Sequence, residues 1–150
     1  MLNVTLSDWA ATERLGATLA AHLQAGDRVF LRGELGSGKT ALAGVILAAL
    51  GYQGTVKSPT YTLIEEYDLS FVRVIHADLY RLQSARELET LGWWDYEDGR
   101  TIFLVEWPER AGGLLQADVD VSLALTDDVR QAQVYGLTRR GIEVVDRLRP

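Results

Sequence analysis

The sequence predicts a three-layer α/β fold with a mixed, mostly parallel central sheet and a C-terminal antiparallel hairpin. Three observations carry this. An apolar run, Arg28 to Arg32, leads into Gly33-Glu34-Leu35-Gly36-Ser37-Gly38-Lys39-Thr40 and then into residues of helical spacing, a strand–loop–helix unit with the pattern GxxxxGKT. Thr101 to Glu106 (TIFLVE) is continuously apolar and ends in an acid, as expected of a central strand covered on both faces. Asp118 to Thr126 and Gln131 to Thr138 alternate apolar and polar residues across Asp127-Asp128, which reads as a hairpin and makes the sheet mixed.

Each element has its own local signal. Leu2 to Leu6 alternates and predicts a short strand, after which Ser7 is the expected N-cap of a helix running to about Leu23, with Leu15, Leu19 and Leu23 on its apolar face. Gly26 breaks the pattern before the strand at Arg28 to Arg32. Leu42, Val45, Ile46 and Ala49 have helical spacing, and Gly51 is the expected stop. Lys57-Ser58-Pro59-Thr60 predicts a loop, followed by strands at Tyr61 to Tyr67 and Val72 to His76. Ser84 and Glu87 form an S-x-x-E capping box opening a helix through about Leu91. Trp93 to Gly99 shows no clear period, and Pro108 closes the TIFLVE strand and opens a short helix.

The 150 residues suit one well-cored domain, 1–150, of ordinary globular composition, 47% hydrophobic and 24% charged. Residues after about 140, with Arg139, Arg140, Arg147 and Arg149 at or near that end, read as a flexible, solvated tail, or alternatively as a docking patch. No apolar run approaches membrane-spanning length and no signal-like segment opens the chain, so the expected location is cytoplasmic. With no cysteine and two isolated histidines, disulfides, thiol chemistry and Cys/His zinc sites are excluded or disfavoured. The net charge of −6 argues against direct binding of DNA or RNA, which favours a basic excess.

The chemistry concentrates in the glycine-rich loop. Gly33, Gly36 and Gly38 free the backbone to turn successive N–H groups inward around an anion, and the following helix aims its positive end at the same point. Lys39 is expected to reach the β and γ phosphates of a nucleotide and the Thr40 hydroxyl to bind Mg²⁺. The loop as a whole, including Glu34, Leu35 and Ser37, is the predicted phosphate cradle. A carboxylate must complete the metal shell or position the attacking water. Glu106 ends the most apolar strand and would emerge at the loop's sheet edge if that strand runs parallel to Arg28–Arg32. Asp78, two residues beyond the expected strand end at His76, is the second candidate. His76 reads as a packed strand-end histidine, and Arg81 as a partner for a phosphate or for Asp78. Ser58, Thr60 and Tyr61 occupy the position of a switch that senses the third phosphate. Trp107 reads as a packing aromatic.

Nucleotide identity follows by exclusion. The single asparagine, Asn3, lies far before the loop, so there is no NKxD guanine-reading motif, nor a DxxG. A small-molecule kinase uses the same loop and acids but needs a lid and an acceptor pocket, for which little chain remains. A nucleotide-sensing subunit with negligible hydrolysis is the non-enzymatic alternative.

The segments GELGSGKT (Gly33 to Thr40), KSPTYTLIEEY (Lys57 to Tyr67), HADLYR (His76 to Arg81) and LVEWPER (Leu104 to Arg110), with ELETLGWWDY at Glu87 to Tyr96, resemble the TsaE (YjeE) family of tRNA threonylcarbamoyladenosine biosynthesis. The resemblance spans roughly residues 5 to 126. It implies a P-loop NTPase-like fold and Mg²⁺-dependent hydrolysis of ATP, with a low intrinsic rate raised by the partner proteins TsaD and TsaB, and contact with tRNA only through those partners. It also implies roles for Lys39 and Thr40 at phosphate and metal, for Glu106 as the magnesium acid, for Asp78 as a second essential acid, and for Thr12 near the nucleotide.

Overall fold

The computed structural model describes residues 1–150. Strands β1 (Leu2–Leu6), β2 (Arg28–Arg32), β3 (Ile64–Asp68), β4 (Arg73–Asp78), β5 (Thr101–Glu106), β6 (Val119–Thr126) and β7 (Val129–Gly136) form one sheet in the order β1-β7-β6-β2-β5-β4-β3. The central pairs β6–β2, β2–β5 and β5–β4 are parallel, and the flanking pairs β1–β7, β7–β6 and β4–β3 are antiparallel. Five strands therefore point one way and only β3 and β7 the other. The predicted mixed, mostly parallel sheet and its C-terminal hairpin are both present.

Period-two alternation sorts the buried residues onto two faces. Val29 and Leu31 of β2, Ile102 and Leu104 of β5, and Val74 of β4 face helices α1 (Trp9–His22), α2 (Lys39–Ala49) and α4 (Arg139–Leu148). Phe30, Phe103, Val105, Ile75 and Ala77 face the other way, toward Leu88 of the one-turn helix α3 (Glu87–Thr90) and Trp93. Trp93 stacks on Phe103 at a centroid distance of 5.0 Å. That second layer is thin, supplied also by one-turn 3-10 helices at Trp93–Tyr96 and Pro108–Ala111.

Where expectation and structure differ, a specific interaction wins. The α1 N-cap is Asp8, not Ser7: its Oδ1 accepts from Ala11 N at 2.8 Å. β3 starts at Ile64 rather than Tyr61, because the Pro59 carbonyl accepts from Leu63 N at 2.8 Å, and Leu63 takes φ 68°, outside the strand region. β4 runs on to Asp78 instead of ending at His76, held by β5 up to the pair Asp78–Glu106. The capping box is half formed. Glu87 accepts from Ser84 N at 3.1 Å, but Ser84 Oγ accepts from Arg86 N, and the helix ends at Thr90. β7 begins at Val129, just after the Asp127-Asp128 turn.

The largest difference is at the C-terminus. Residues after 140 are helix α4, not a flexible tail: Thr138 caps it by accepting from Gly141 N, and Val144 and Val145 are buried in the core. Arg139, Arg140, Glu143, Asp146 and Arg147 surround these apolar positions, and their charge hid the helical period. Arg140 anchors it, donating from Nε and Nη2 to the buried Asp27 at 3.1 and 3.0 Å and from Nη2 to the His22 carbonyl. Asp27 also accepts from Gln24 N at 2.8 Å. Asp27→Ala would strand those donors and is expected to cost about 2–3 kcal/mol in urea unfolding, toward the low end for a broken buried pair because Arg140 keeps some contact with water. A loss below 0.5 kcal/mol would show that α4 is held by its apolar face alone.

Candidate nucleotide site

The strand–loop–helix unit places Gly33–Thr40 between the C-terminal end of β2 and the N-terminus of α2. Gly38, at φ 106°, is the N-cap of α2 and leaves no side chain to compete for the helix's first N–H groups. At Gly33, with φ 148°, an added Cβ would stand 2.6 Å from the Leu123 carbonyl and closer still to Ser37 Oγ, so only glycine fits.

Because β4 and β5 run parallel to β2, their C-terminal ends emerge at this same edge. Alternation then decides the face. Glu106 follows Ile102 and Leu104, and Asp78 follows Val74 and His76, on the side of the sheet that carries α2. Thr40 Oγ1 accordingly lies 3.0 Å from both Oε1 and Oε2 of Glu106. His76 Nε2 donates to Glu106 Oε2 at 2.6 Å from a fully buried ring. Asp78 is the register partner of Glu106, and its Oδ1 accepts from Tyr80 N at 3.0 Å. Two adjacent carboxylates and a hydroxyl form an oxygen donor set of the kind Mg²⁺ takes.

Lys39 donates from Nζ to the carbonyls of Gly33 and Glu34, at 2.5 and 2.9 Å, and reaches Ser37 Oγ at 3.4 Å. Burial holds its ammonium below the usual lysine range, opposed by Glu106, Asp78, Glu109 and Glu34. Burial also pushes the Asp78 carboxyl up, reinforced by Glu106 and opposed by the Tyr80 N–H, His76 and Lys39. A carboxyl whose folded pKa is raised binds more protons in the folded than in the unfolded chain. Stability therefore falls as pH climbs from the unfolded value through the raised one. Asp78→Asn removes that penalty and is expected to raise the urea midpoint at pH 7 and flatten its dependence on pH over the mildly acidic range. A lower midpoint at pH 7 would contradict the burial argument.

An open cleft of about 280 Å³ joins these groups, lined by Leu35, Gly36, Gly38, Lys39, Thr40, Ala41, Thr60, Asp78, Glu106 and Trp107. Of the switch-like residues only Thr60 reaches it. Ser58 Oγ lies 2.6 Å from Thr60 Oγ1 and supports it, while Tyr61 is exposed and stacks under the Arg81 guanidinium at 4.6 Å. Arg81 thus pairs with an aromatic ring rather than with Asp78. Thr12 lies on the buried face of α1 and is not among the cleft residues.

Two residues matter more than their sequence context suggested. Trp107 adopts φ 55°, an uncommon conformation for a bulky residue, and its ring sits 4.7 Å from Lys39 Nζ and 4.9 Å from the Tyr80 ring. Its position directly after a strand-end acid was the available signal. His76 proves to be both packed and bonded to the site's central carboxylate, which only the β4–β5 register reveals.

The family model described as threonylcarbamoyl adenosine biosynthesis protein TsaE matches residues 6–134. A tRNA threonylcarbamoyladenosine biosynthesis protein TsaE of Haemophilus influenzae is 41% identical over 128 residues, 85% of this chain and 81% of that protein. Its namesake from Nostoc is 34% identical over 138 residues, covering 89% and 85% of the two chains. The crystal structure of Bacillus subtilus YdiB superposes with a TM-score of 0.83 at 25% identity, over 98% of this chain and 93% of that one. Together with the ordered loop and strand-end acids, these likenesses establish that the chain belongs to the TsaE family.

Proposed function

We propose that this protein is a Mg²⁺-dependent ATPase of tRNA threonylcarbamoyladenosine biosynthesis, acting in the cytoplasm as the energy-converting subunit beside TsaD and TsaB. The observation that carries the hydrolytic part is the bond of Thr40 to both oxygens of Glu106 at the mouth of the glycine-rich loop, with Asp78 alongside. Mg²⁺ held there would supply positive charge to offset the negative charge that builds during phosphoryl transfer. The loop N–H groups and Lys39 hold the phosphates, Thr40 and Glu106 hold the ion, and His76 fixes the Glu106 carboxylate. Asp78 is suited to orient the attacking water: burial favours its neutral form, while the Lys39 charge opposes that and keeps a proton acceptor within reach. Thr60 stands where a hydroxyl can report the third phosphate.

The net charge of −6 supports a division of labour in which the tRNA surface belongs to a partner. No helix is long and apolar enough to cross a membrane. The test is phosphate release from ATP with Mg²⁺, by the chain alone and with TsaD and TsaB added. A slow basal rate that climbs with the partners is expected. An unchanged rate, with phosphate appearing on a small hydroxyl compound, would instead identify a kinase, and binding without turnover in either mixture a sensor.

A further inference from the structure

Arg130 is the second residue of β7, immediately after a turn in which Asp127 and Asp128 both take positive φ, 51° and 62°. Antiparallel register sets it opposite Leu6 at the end of β1 and Leu125 near the end of β6. It therefore flanks the glycine-rich loop on the side away from Asp78 and Glu106, since β6 and β5 border β2 on its two sides. Its guanidinium lies against the α2 N-cap: Cζ and Nε are 3.3 Å, and Nη1 3.4 Å, from where a Cβ on Gly38 would stand. Arg130 Nε is buried and has no hydrogen-bond partner. None of the chain's ion pairs includes it, although acids outnumber lysines and arginines 21 to 15.

An N–H withdrawn from water without an acceptor is costly, and such a group in a folded chain calls for an explanation, of which a ligand that brings the acceptor is one. The surroundings specify the ligand's chemistry. The guanidinium abuts the residue that caps the phosphate-cradling helix, and its planar fork matches phosphate oxygens. We infer that Arg130 is a nucleotide-binding residue, clamping the phosphate chain at Gly38 from the hairpin side of the loop. The inference rests on the nucleotide reading above and extends it to β7, which that reading leaves idle. Because Arg130 sits opposite the metal acids, its contact serves nucleoside diphosphate and triphosphate alike, unlike a sensor of the third phosphate.

The experiment compares Kd for MgATP and MgADP in wild type, Arg130→Ala and Arg130→Lys, with the thermal midpoint of each protein free of nucleotide. Arg130→Ala is expected to raise both Kd values at least 10-fold with little change in the nucleotide-free midpoint, and Arg130→Lys to recover part of the loss. Unchanged Kd values, or a midpoint that drops while Kd stays put, would overturn the assignment. A measurement on the wild type needs no variant binding data: the Arg130 Nε–H resonance should shift on saturation with MgADP, and a resonance that does not move overturns the contact. Wild-type binding is the control that separates the two ideas. Its absence removes the nucleotide reading together with this one, whereas wild-type binding left intact in Arg130→Ala removes this one alone.

Discussion

Lys39→Ala is expected to lower ATP turnover by on the order of 10²–10³-fold, the effect of deleting one preorganised charge from a phosphoryl-transfer site. Lys39 is the one ammonium lining the cleft, and three loop oxygens, of Gly33, Glu34 and Ser37, hold it in place. In that position it costs little reorganisation to transfer its donors to phosphate oxygens. Alanine removes the charge and takes one donor from the Gly33 and Glu34 carbonyls, but Glu34 still accepts from Ser37 N at 3.1 Å, so folding should survive. Far-UV circular dichroism and the urea midpoint check that survival while phosphate release reports the loss. Turnover within threefold of wild type would show that the loop does not grip the nucleotide as proposed. Burial already disfavours the charged ammonium, so the interaction is also expected to weaken at alkaline pH earlier than for a water-exposed lysine.

Glu106→Gln should separate chemistry from binding. The substitution keeps the shape and a donor–acceptor pair for Thr40 and His76 but removes the anionic charge offered to Mg²⁺. Hydrolysis is expected to fall at least ~100-fold, with nucleotide affinity changing far less because the loop N–H groups and Lys39 remain. Glu106→Ala adds a structural loss, since the buried His76 Nε2 is left without its carboxylate, at about 1–3 kcal/mol. The glutamine variant therefore carries the mechanistic weight, and the alanine variant the structural one. Full hydrolysis by Glu106→Gln would remove Glu106 from the metal site and leave Asp78 as the acid to examine.

How far these residues were legible follows from the range of the interactions that position them. The loop's chemistry is local: glycines at 33, 36 and 38, Lys39 and Thr40 are contiguous, and their backbone conformations follow from residue type. The strands that flank it were legible for the same reason, because a run such as TIFLVE declares burial on both faces without reference to any partner. Cap positions and strand ends were less so. Ser7 and Asp8 are both good caps, and only the bond to Ala11 N selects Asp8. β4 reaches Asp78 because β5 supplies the pairing, information absent from the segment itself. Helix α4 was missed because its charged residues dominate a short C-terminal segment, and its docking depends on Asp27, 113 positions away.

The sequence by itself determined that a glycine-rich anion cradle follows a strand, that two acids close later strands, and that a hairpin ends an α/β sheet. Those are properties of contiguous residues, governed by backbone freedom and hydrophobic period. Tertiary structure alone decided that β5 and β4 run parallel to β2 in adjacent register, which sets Glu106 on Thr40 and Asp78 beside Glu106. It also brought in His76, Trp107 and Arg130, whose roles depend on neighbours far along the chain. Side-chain electrostatics at a few ångströms is set by strand pairing, and no local pattern encodes which strand will be the neighbour.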